Sequence, residues 1–310
     1  MAEQFLVVLG QVATLFLLMG IGFFLGETDR ISTAGTGEMS FLLMYIVTPC
    51  VIVDAFQTDW EPDTLRTLAV GAAALAVCYG VYILISLPLF PRQPDNLRAS
   101  LRFGCVYGNT GFMGLPLVQA VLGDEALIFA VVSMVVFNVL CWTHGVILMG
   151  GKDAFSPKKI VLNPGVFAVV VGLPLFLLRW RLPGPLYNTV NFMSGLNTPL
   201  AMVVIGAQMS RADLLNTFRG KELYAASAVK LLVMPTVTAL LLLPLHLDPL
   251  FYSATVILAA APTAGITSMF AERFGREPAR AAQLVSLSTL LSVLTLPVAG
   301  VAAQILSVLH

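Results

Sequence analysis

Charge is scarce in this sequence: Asp, Glu, Lys and Arg make up 11% of its 310 residues, with 17 basic and 17 acidic residues. No long block of Lys or Arg occurs, which excludes the basic surface that a nucleic-acid-binding protein presents to phosphates. Hydrophobic residues make up 58% of the chain, well above their share in ordinary soluble domains. The composition therefore predicts an all-α polytopic membrane protein that is surrounded by membrane lipid.

The residue patterns of common catalytic sites are also absent from the sequence. There is no phosphate-binding GxxxxGK[ST] loop, which excludes a nucleotide-driven pump. No HExxH spacing, Asp-rich motif or Cys–His neighbour pair is present, so an intramembrane enzyme is only a remote alternative. The four cysteines all fall in apolar stretches, where they behave as small buried hydrophobes. We expect no catalytic residues, no metal and no cofactor.

Long apolar runs fill most of the chain. A membrane-spanning helix needs about 20 mostly apolar residues, and cutting the chain at its polar or turn-rich segments leaves ten candidates. The first has no positively charged flank, so we expect a retained helix and not a cleaved signal peptide. The predicted spans are residues 5–26, 39–56, 65–90, 97–122, 126–149, 162–178, 187–209, 223–245, 250–274 and 281–309.

The loops predict two halves of five spans each. Residues 151–160 are the most polar connection near the middle and predict a short cytoplasmic linker between a first repeat, 1–150, and a second repeat, 161–310. Odd-numbered loops hold 13 Lys and Arg and even-numbered loops hold three, and cytoplasmic loops carry the excess. We therefore expect both termini outside the cytoplasmic (inner) membrane. Since five is odd, the second half enters from the opposite side and the repeat is inverted.

The fourth predicted span contains the strongest interruption. Residues 108–116 are Gly-Asn-Thr-Gly-Phe-Met-Gly-Leu-Pro, which cannot hold continuous helical hydrogen bonds cheaply. The ninth span, at the same place in its half, contains Ala-Pro-Thr-Ala-Gly at 261–265. Interrupted spans at corresponding positions indicate a transporter's binding site, and helix N-termini suit a carboxylate. The predicted substrate-binding residues are Asn109, Thr110, Gly111, Pro262 and Thr263, and the predicted hinge glycines are Gly108, Gly114 and Gly265. The alternative is that Asn109 and Thr110 only satisfy the kinked backbone.

Four other polar residues are candidates. Lys230 is the only Lys or Arg near the centre of a predicted span, where a charge is costly and functional by default. It would either counter a substrate carboxylate or exchange a proton, or act structurally as a fixed cation bonded to unwound carbonyls. Asp54, near the end of the second span, is a second candidate for coupling or simply reaches the interface. Asn197 and Thr198 precede a proline in the seventh span and would cap its broken part or contact substrate.

Several motifs occur in a fixed order along the chain. They are Asn-Thr-Gly-Phe-Met-Gly-Leu-Pro at 109–116, Ala-Pro-Thr at 261–263, Phe-Ala-Glu-Arg-Phe-Gly at 270–275, and Ser-Thr-Leu-Leu-Ser to Leu-Pro at 288–297. In this order and spacing the chain resembles the auxin efflux carrier family, whose bacterial members include malonate and other organic-acid permeases. The resemblance covers essentially the whole chain.

The resemblance implies the inverted-repeat fold of sodium/proton antiporters, in which helices 4 and 9 unwind and cross near the membrane midplane. It also implies a scaffold of spans 1, 2, 6 and 7 beside a mobile transport bundle of spans 3–5 and 8–10. Pro116 and Pro262 would be the crossover prolines. A homodimer through the scaffold is implied in the same way.

Together these inferences predict a secondary active or potential-driven transporter of a small organic anion, an auxin-like or malonate-like carboxylate, that works by elevator-type alternating access. The alternatives are a monovalent cation/proton antiporter of the same fold and a passive channel. An antiporter needs paired carboxylates at membrane depth, and the span interiors offer only Asp54, near an end. No sodium-binding cage is evident, so proton coupling and uncoupled movement both stay open.

Overall fold

The computed structural model describes residues 2–156, 158, 163–211 and 217–308. Within these residues the chain is helical, without strands, and twelve helical units of nine residues or more follow one another. They are α1 Ala2–Glu27, α2 Thr33–Ala55, α3 Pro62–Ser86, α4 Asp95–Val106, α5 Thr110–Leu122, α6 Asp124–Gly150, α7 Pro164–Leu177, α8 Gly184–Ser210, α9 Lys221–Leu245, α10 Pro249–Ala260, α11 Ile266–Phe274 and α12 Pro278–Val308. The end of the predicted linker and the start of the sixth predicted span lie outside the described part, at residues 157 and 159–162. So does residue 309, the end of the tenth predicted span.

Seven of these helices are long and apolar enough to cross a membrane: α1, α2, α3, α6, α8, α9 and α12. Three more, α5, α7 and α10, are shorter apolar helices. The predicted fourth span is divided into α4 and α5, and the predicted ninth span into α10 and α11. The prediction of an all-α, multi-pass membrane protein is confirmed.

Short polar side chains and prolines begin several helices. The side chains of Ser32, Asn163 and Asp248 accept hydrogen bonds from backbone N–H groups in the first turns of α2, α7 and α10. Each thereby satisfies a donor that has no partner inside the helix. Pro164 and Pro249 follow directly at the first helical position, where the missing N–H of proline costs nothing.

Four helices contain a π turn, which inserts one extra residue into the helix. The turns are Leu43–Val47 in α2, Thr110–Gly114 in α5, Cys141–Gly145 in α6 and Val229–Val233 in α9. In α2, α5 and α9 a proline follows two residues after the turn: Pro49, Pro116 and Pro235. Because proline lacks an N–H and its ring clashes with the carbonyl four residues earlier, the wider turn lets the helix continue through it.

The helices pack in two groups. One group consists of α1, α2, α7 and α8, and the other contains α3, α6, α9, α10 and α12. Between the groups, α1 contacts α12, and α2 and α7 contact α6. The most extensive contact joins α1 to the second part of α8, Asn197–Ser210. A Cβ at Gly22 would fall on the backbone of Val203, and one at Gly206 on the backbone of Met19. Glycine therefore lets these two backbones touch, as small residues do in membrane helix pairs.

Candidate functional site

The two interrupted segments meet through backbone hydrogen bonds. The residues between α4 and α5 run antiparallel to those between α10 and α11. The N–H of Asn109 donates to the carbonyl of Pro262 at 2.6 Å, and the N–H of Ala264 donates to the carbonyl of Tyr107 at 3.0 Å. These bonds satisfy backbone groups that would be costly to leave unpaired at membrane depth. The ends of four helices therefore lie at one place, here called the crossing, formed by residues 107–109 and 261–265.

Residue identity at the crossing explains this close approach. A Cβ added to Gly108 would lie 3.1 Å from the carbonyl oxygen of Ala261 and 2.7 Å from Cε of Lys230. Ala261 is extended, with ψ of 142°, as expected for a residue before proline. Pro262 has no N–H with which to continue α10. Any side chain larger than hydrogen at position 108 must therefore displace the side chain of Lys230.

Asn109 caps the start of α5. Its Oδ1 accepts a hydrogen bond from the N–H of Phe112 at 3.2 Å, as an N-cap residue does. Oδ1 therefore does what the predicted alternative requires, because it satisfies a backbone N–H group beside the interruption. The side chain is half-buried, and none of the described residues accepts a hydrogen bond from Nδ2. The two N–H donors of Nδ2 are therefore not used within the described part of the protein.

A small polar cavity lies beside the crossing. Its volume of about 10 Å³ is enough for roughly one water molecule. Thr110 is 4% exposed, and its Oγ1 has no hydrogen-bond partner among the described residues. The polar side chains that line the cavity are Tyr79, Tyr82, Thr110, Ser133, Lys230 and Thr255. The fold thus brings together two predicted site residues, Thr110 and Lys230, which are far apart in the sequence.

Lys230 is buried against the end of α10. Its side chain is 2% exposed, and Nζ donates to the carbonyl of Ala259, in the last turn of α10, at 2.6 Å. A positive charge there complements the partial negative charge at a helix C-terminus. The ion pairs between described residues are Arg98–Asp95, Arg181–Asp59 and Arg280–Glu222. Lys230 takes part in none of them. The structural alternative predicted a bond to unwound carbonyls, and the acceptor is instead a carbonyl in the last helical turn of α10.

Thr263 joins the crossing to two helices, α4 and α12. It is fully buried, its Oγ1 donates to the carbonyl of Gly104 in α4 at 3.0 Å, and its N–H donates to Oγ of Ser288 in α12 at 3.1 Å. Both donors of this predicted substrate-binding residue are therefore used within the protein.

The other predicted positions around the breaks differ in their surroundings. A Cβ at Gly114 would lie 2.5 Å from a leucine methyl carbon of α10, so this glycine lets α5 pack on α10. At Gly111 the nearest atom would be 3.9 Å away, and at Gly265 there would be none within 4 Å. Of the two predicted crossover prolines, only Pro262 lies in the crossing. Pro116 lies inside α5, because the π turn before it accommodates the missing N–H without a break.

The candidates on α8 and α2 have separate environments. The second part of α8 packs on the π turn of α5. There, Asn197 is 1% exposed with no partner for Oδ1 among the described residues, and Oγ1 of Thr198 lies 3.5 Å from Oε1 of Gln119. Oδ2 of Asp54 accepts a hydrogen bond from Nδ2 of Asn191 at 3.4 Å. Asp54 is not among the residues that line the cavity.

Four residues of the cavity were missed by the sequence reasoning. Tyr79 and Tyr82 are three residues apart and therefore share one face of α3. The hydroxyl of Tyr82 forms a hydrogen bond with Oγ1 of Thr238 in α9, and Oγ of Ser133 lies 3.4 Å from Oγ1 of Thr255. The sequence feature that could have identified these residues is the presence of hydroxyl groups inside apolar spans. Such groups hydrogen-bond across helices in a membrane.

One family model and three transporters are similar to this chain. The model, described as membrane transport protein, matches residues 7–156 and 153–299. A putative malonate transporter of Rhizobium meliloti (strain 1021) is 22% identical over 299 residues, which are 92% of each chain. An uncharacterized transporter of Methanocaldococcus jannaschii is 22% identical over 301 residues, 93% of this chain and 96% of its own. An uncharacterized transporter of Methanothermobacter thermautotrophicus is 27% identical over 193 residues, 61% of this chain and 63% of its own.

Proposed function

Because the chain belongs to the membrane transport protein family, that of the auxin efflux carriers, we propose that it is a secondary transporter of a small organic anion in the cytoplasmic (inner) membrane. The match confirms the family resemblance that the motifs at 109–116 and 261–263 indicate. Movement of the anion would be driven by a coupled ion gradient or by the membrane potential.

The observation that supports an anion is the arrangement of helix ends at the crossing. The N-terminal ends of α5 and α11 carry a partial positive charge, which suits a carboxylate. Some of the first N–H groups, those of Thr110 and Phe112 among them, are already bonded within the protein. Asn109 adds the two donors of Nδ2. At the C-terminal end of α10, where the partial charge is negative, the carbonyl of Ala259 is already bonded to Lys230. No acidic side chain lines the cavity within the described part of the chain.

The proposal includes ten membrane crossings in an inverted repeat. α4 with α5 and α10 with α11 count as single interrupted spans, and the halves at 1–150 and 161–310 then have the same order. Each half has its interruption in the fourth span, and five crossings per half give opposite orientations. The excess of Lys and Arg in odd-numbered loops supports outward termini.

We further propose elevator-type alternating access. The packing of α1, α2, α7 and α8 as one group supports a scaffold, beside which α3–α6 and α9–α12 would move with the crossing. The contact between the second part of α8 and the π turn of α5 would be part of the sliding surface. A homodimer through the scaffold belongs to the same proposal.

The experiment is a thermal-shift screen of the purified protein in detergent against mono- and dicarboxylates and indole acids. A relative is named a putative malonate transporter, so malonate is the first compound. A ligand that binds only the folded state raises its stability by about 2.7 kcal/mol at a concentration of 100 times the Kd. Asn109→Ser is the informative variant, because serine keeps the cap on α5 but removes Nδ2.

We expect one class of acid to raise the melting temperature of the wild type and to lose most of that effect in Asn109→Ser. Asn188→Ala is the matched control, because Asn188 is an exposed asparagine of α8, and it should respond like the wild type. If no acid shifts the wild type while sodium or pH does, the antiporter alternative replaces this proposal. An undiminished acid effect in Asn109→Ser would remove Asn109 from the binding site.

A further inference from the structure

The position of Lys230 is unusual because its ammonium group lies where the backbone of α10 presents oxygen atoms. Nζ donates to the carbonyl of Ala259 at 2.6 Å. A Cβ added to Gly108 would lie 2.8 Å from this Nζ and 3.1 Å from the carbonyl oxygen of Ala261. One carbonyl at the end of α10 therefore bonds to the charge, and a second, that of Ala261, borders the same Gly108 position.

The cavity beside Lys230 is lined by hydroxyl groups together with apolar side chains such as Leu75 and Leu258. The hydroxyls of Thr110, Ser133 and Thr255 line the cavity together with Lys230, and Oγ1 of Thr110 has no partner among the described residues. Unwound carbonyls and the C-terminal ends of half-helices are the groups that coordinate Na⁺ in secondary transporters with interrupted helices. The oxygen atoms around Lys230 are thus of the type that a bare monovalent cation prefers.

The charge balance supports the same conclusion. Lys230 is 2% exposed, and the ion pairs of the described residues do not include it. A buried ammonium without a carboxylate partner requires oriented dipoles for its stabilisation, and the C-terminus of α10 supplies them. The site is therefore suited to one positive charge, which Lys230 supplies in its protonated form.

We propose that the ammonium of Lys230 occupies a latent binding site for a monovalent cation, so that the chain carries its own fixed cation at the crossing and binds no sodium there. The consequence for transport, which is that movement of the organic anion would not be coupled to sodium, rests on the proposed function. The occupancy itself concerns only the folded protein and is measured without substrate.

The experiment compares melting temperatures in sodium chloride and in choline chloride at equal ionic strength. Lys230→Ala removes the ammonium and leaves a space bordered by the same oxygen atoms. We expect sodium to raise the melting temperature of Lys230→Ala by about 2 °C or more over choline, and to leave the wild type unchanged. Methylammonium chloride, a soluble equivalent of the lost group, should also stabilise Lys230→Ala.

Two variants control for the removal of charge and volume. Lys230→Met fills most of the space with an uncharged chain and should show no preference for sodium. Lys221→Ala removes an exposed lysine at the start of the same helix and should respond like the wild type. If Lys230→Ala does not yield folded protein, Lys230→Ser is measured in its place.

Stabilisation of the wild type by sodium over choline would overturn the proposal, because the site would then bind sodium beside the lysine. Equal melting temperatures of Lys230→Ala and of Lys230→Ser in the two salts would also overturn it. Neither result depends on an added acid. The proposed organic-anion function is judged separately, by the response of the wild type to carboxylates in choline chloride.

Discussion

Replacing Gly108 by alanine tests how tightly the crossing holds Lys230. The added Cβ would lie 2.7 Å from Cε and 2.8 Å from Nζ of Lys230, whereas ordinary contacts begin at 3.4 Å. The ammonium must therefore withdraw by about 0.6 Å or more, and its 2.6 Å bond to Ala259 is stretched or lost. A hydrogen bond from a charged donor contributes about 1.5–3 kcal/mol. We expect Gly108→Ala to lower the free energy of unfolding by about 2 kcal/mol.

The assay is reversible unfolding in mixed micelles by titration with sodium dodecyl sulfate. The wild type, Gly108→Ala, Lys230→Ala and the double variant form a double-mutant cycle. Alanine at position 230 removes both crowded atoms and leaves only the 3.1 Å approach to the oxygen of Ala261. The effect of Gly108→Ala should therefore shrink, with a coupling energy of about 1–2 kcal/mol. Gly80→Ala is the matched control, since its Cβ would meet nothing within 4 Å.

A cost of Gly108→Ala that is equal in both backgrounds would refute the reasoning, because the crowding would then come from the backbone at Ala261 and not from the lysine. A Gly108→Ala protein as stable as the wild type would refute the close approach itself. A cost for Gly80→Ala as large as that for Gly108→Ala would show that alanine is harmful at glycine positions in general.

Two further predictions concern α8. Gly206→Leu should prevent α1 from packing on α8 and abolish the monodisperse peak in size-exclusion chromatography, because its Cβ would fall on the backbone of Met19. Gly20→Leu is the control and should keep that peak, because no atom lies within 4 Å of its Cβ. Equal behaviour of the two variants would contradict the packing of α1 on α8. Asn197→Leu should keep the free energy of unfolding within about 1 kcal/mol of the wild type or raise it, since Oδ1 is buried without a described partner. A loss of several kcal/mol in Asn197→Leu would mean that this side chain is fully bonded.

The helix breaks were predictable from local chemistry. The glycines and proline at 108–116 and the proline at 262 predicted interruptions in the fourth and ninth spans, and the structure interrupts the helices at 107–109 and 261–265. Gly111, Gly114 and Pro116 nevertheless lie inside α5. The role of Pro116 was not predictable in the same way. A proline ends a helix or is accommodated by a π turn, and the choice depends on how neighbouring helices pack against the widened turn.

The cost of a buried charge made Lys230 a candidate from sequence alone. The sequence could not predict that its hydrogen-bond acceptor is the carbonyl of Ala259. Ala259 has no side-chain chemistry, and its carbonyl is free only because α10 ends nearby. The contact therefore depends on where α10 ends, on how α9 packs against it, and on the π turn Val229–Val233 that contains the lysine.

The hydroxyl groups of the cavity show a similar limit. Tyr79, Tyr82, Ser133 and Thr255 each lie in an apolar segment with no motif around them. Serine, threonine and tyrosine are common in membrane helices, where they satisfy the backbone of their own helix or bond to a neighbour. Only the packing of α3, α6 and α10 around Thr110 distinguishes these four from the others.

The sequence by itself determined the environment of this protein, its helical class, its family and the places where two helices break. These properties follow from composition, from the length of apolar runs and from the missing N–H of proline, which act locally or on average. The tertiary structure alone decided that the two breaks pair through their backbones, that Asn109 caps α5, and that Lys230 bonds to a carbonyl of α10. Those contacts join residues more than a hundred positions apart or depend on the exact end of a helix, and no local pattern specifies a distance of that kind.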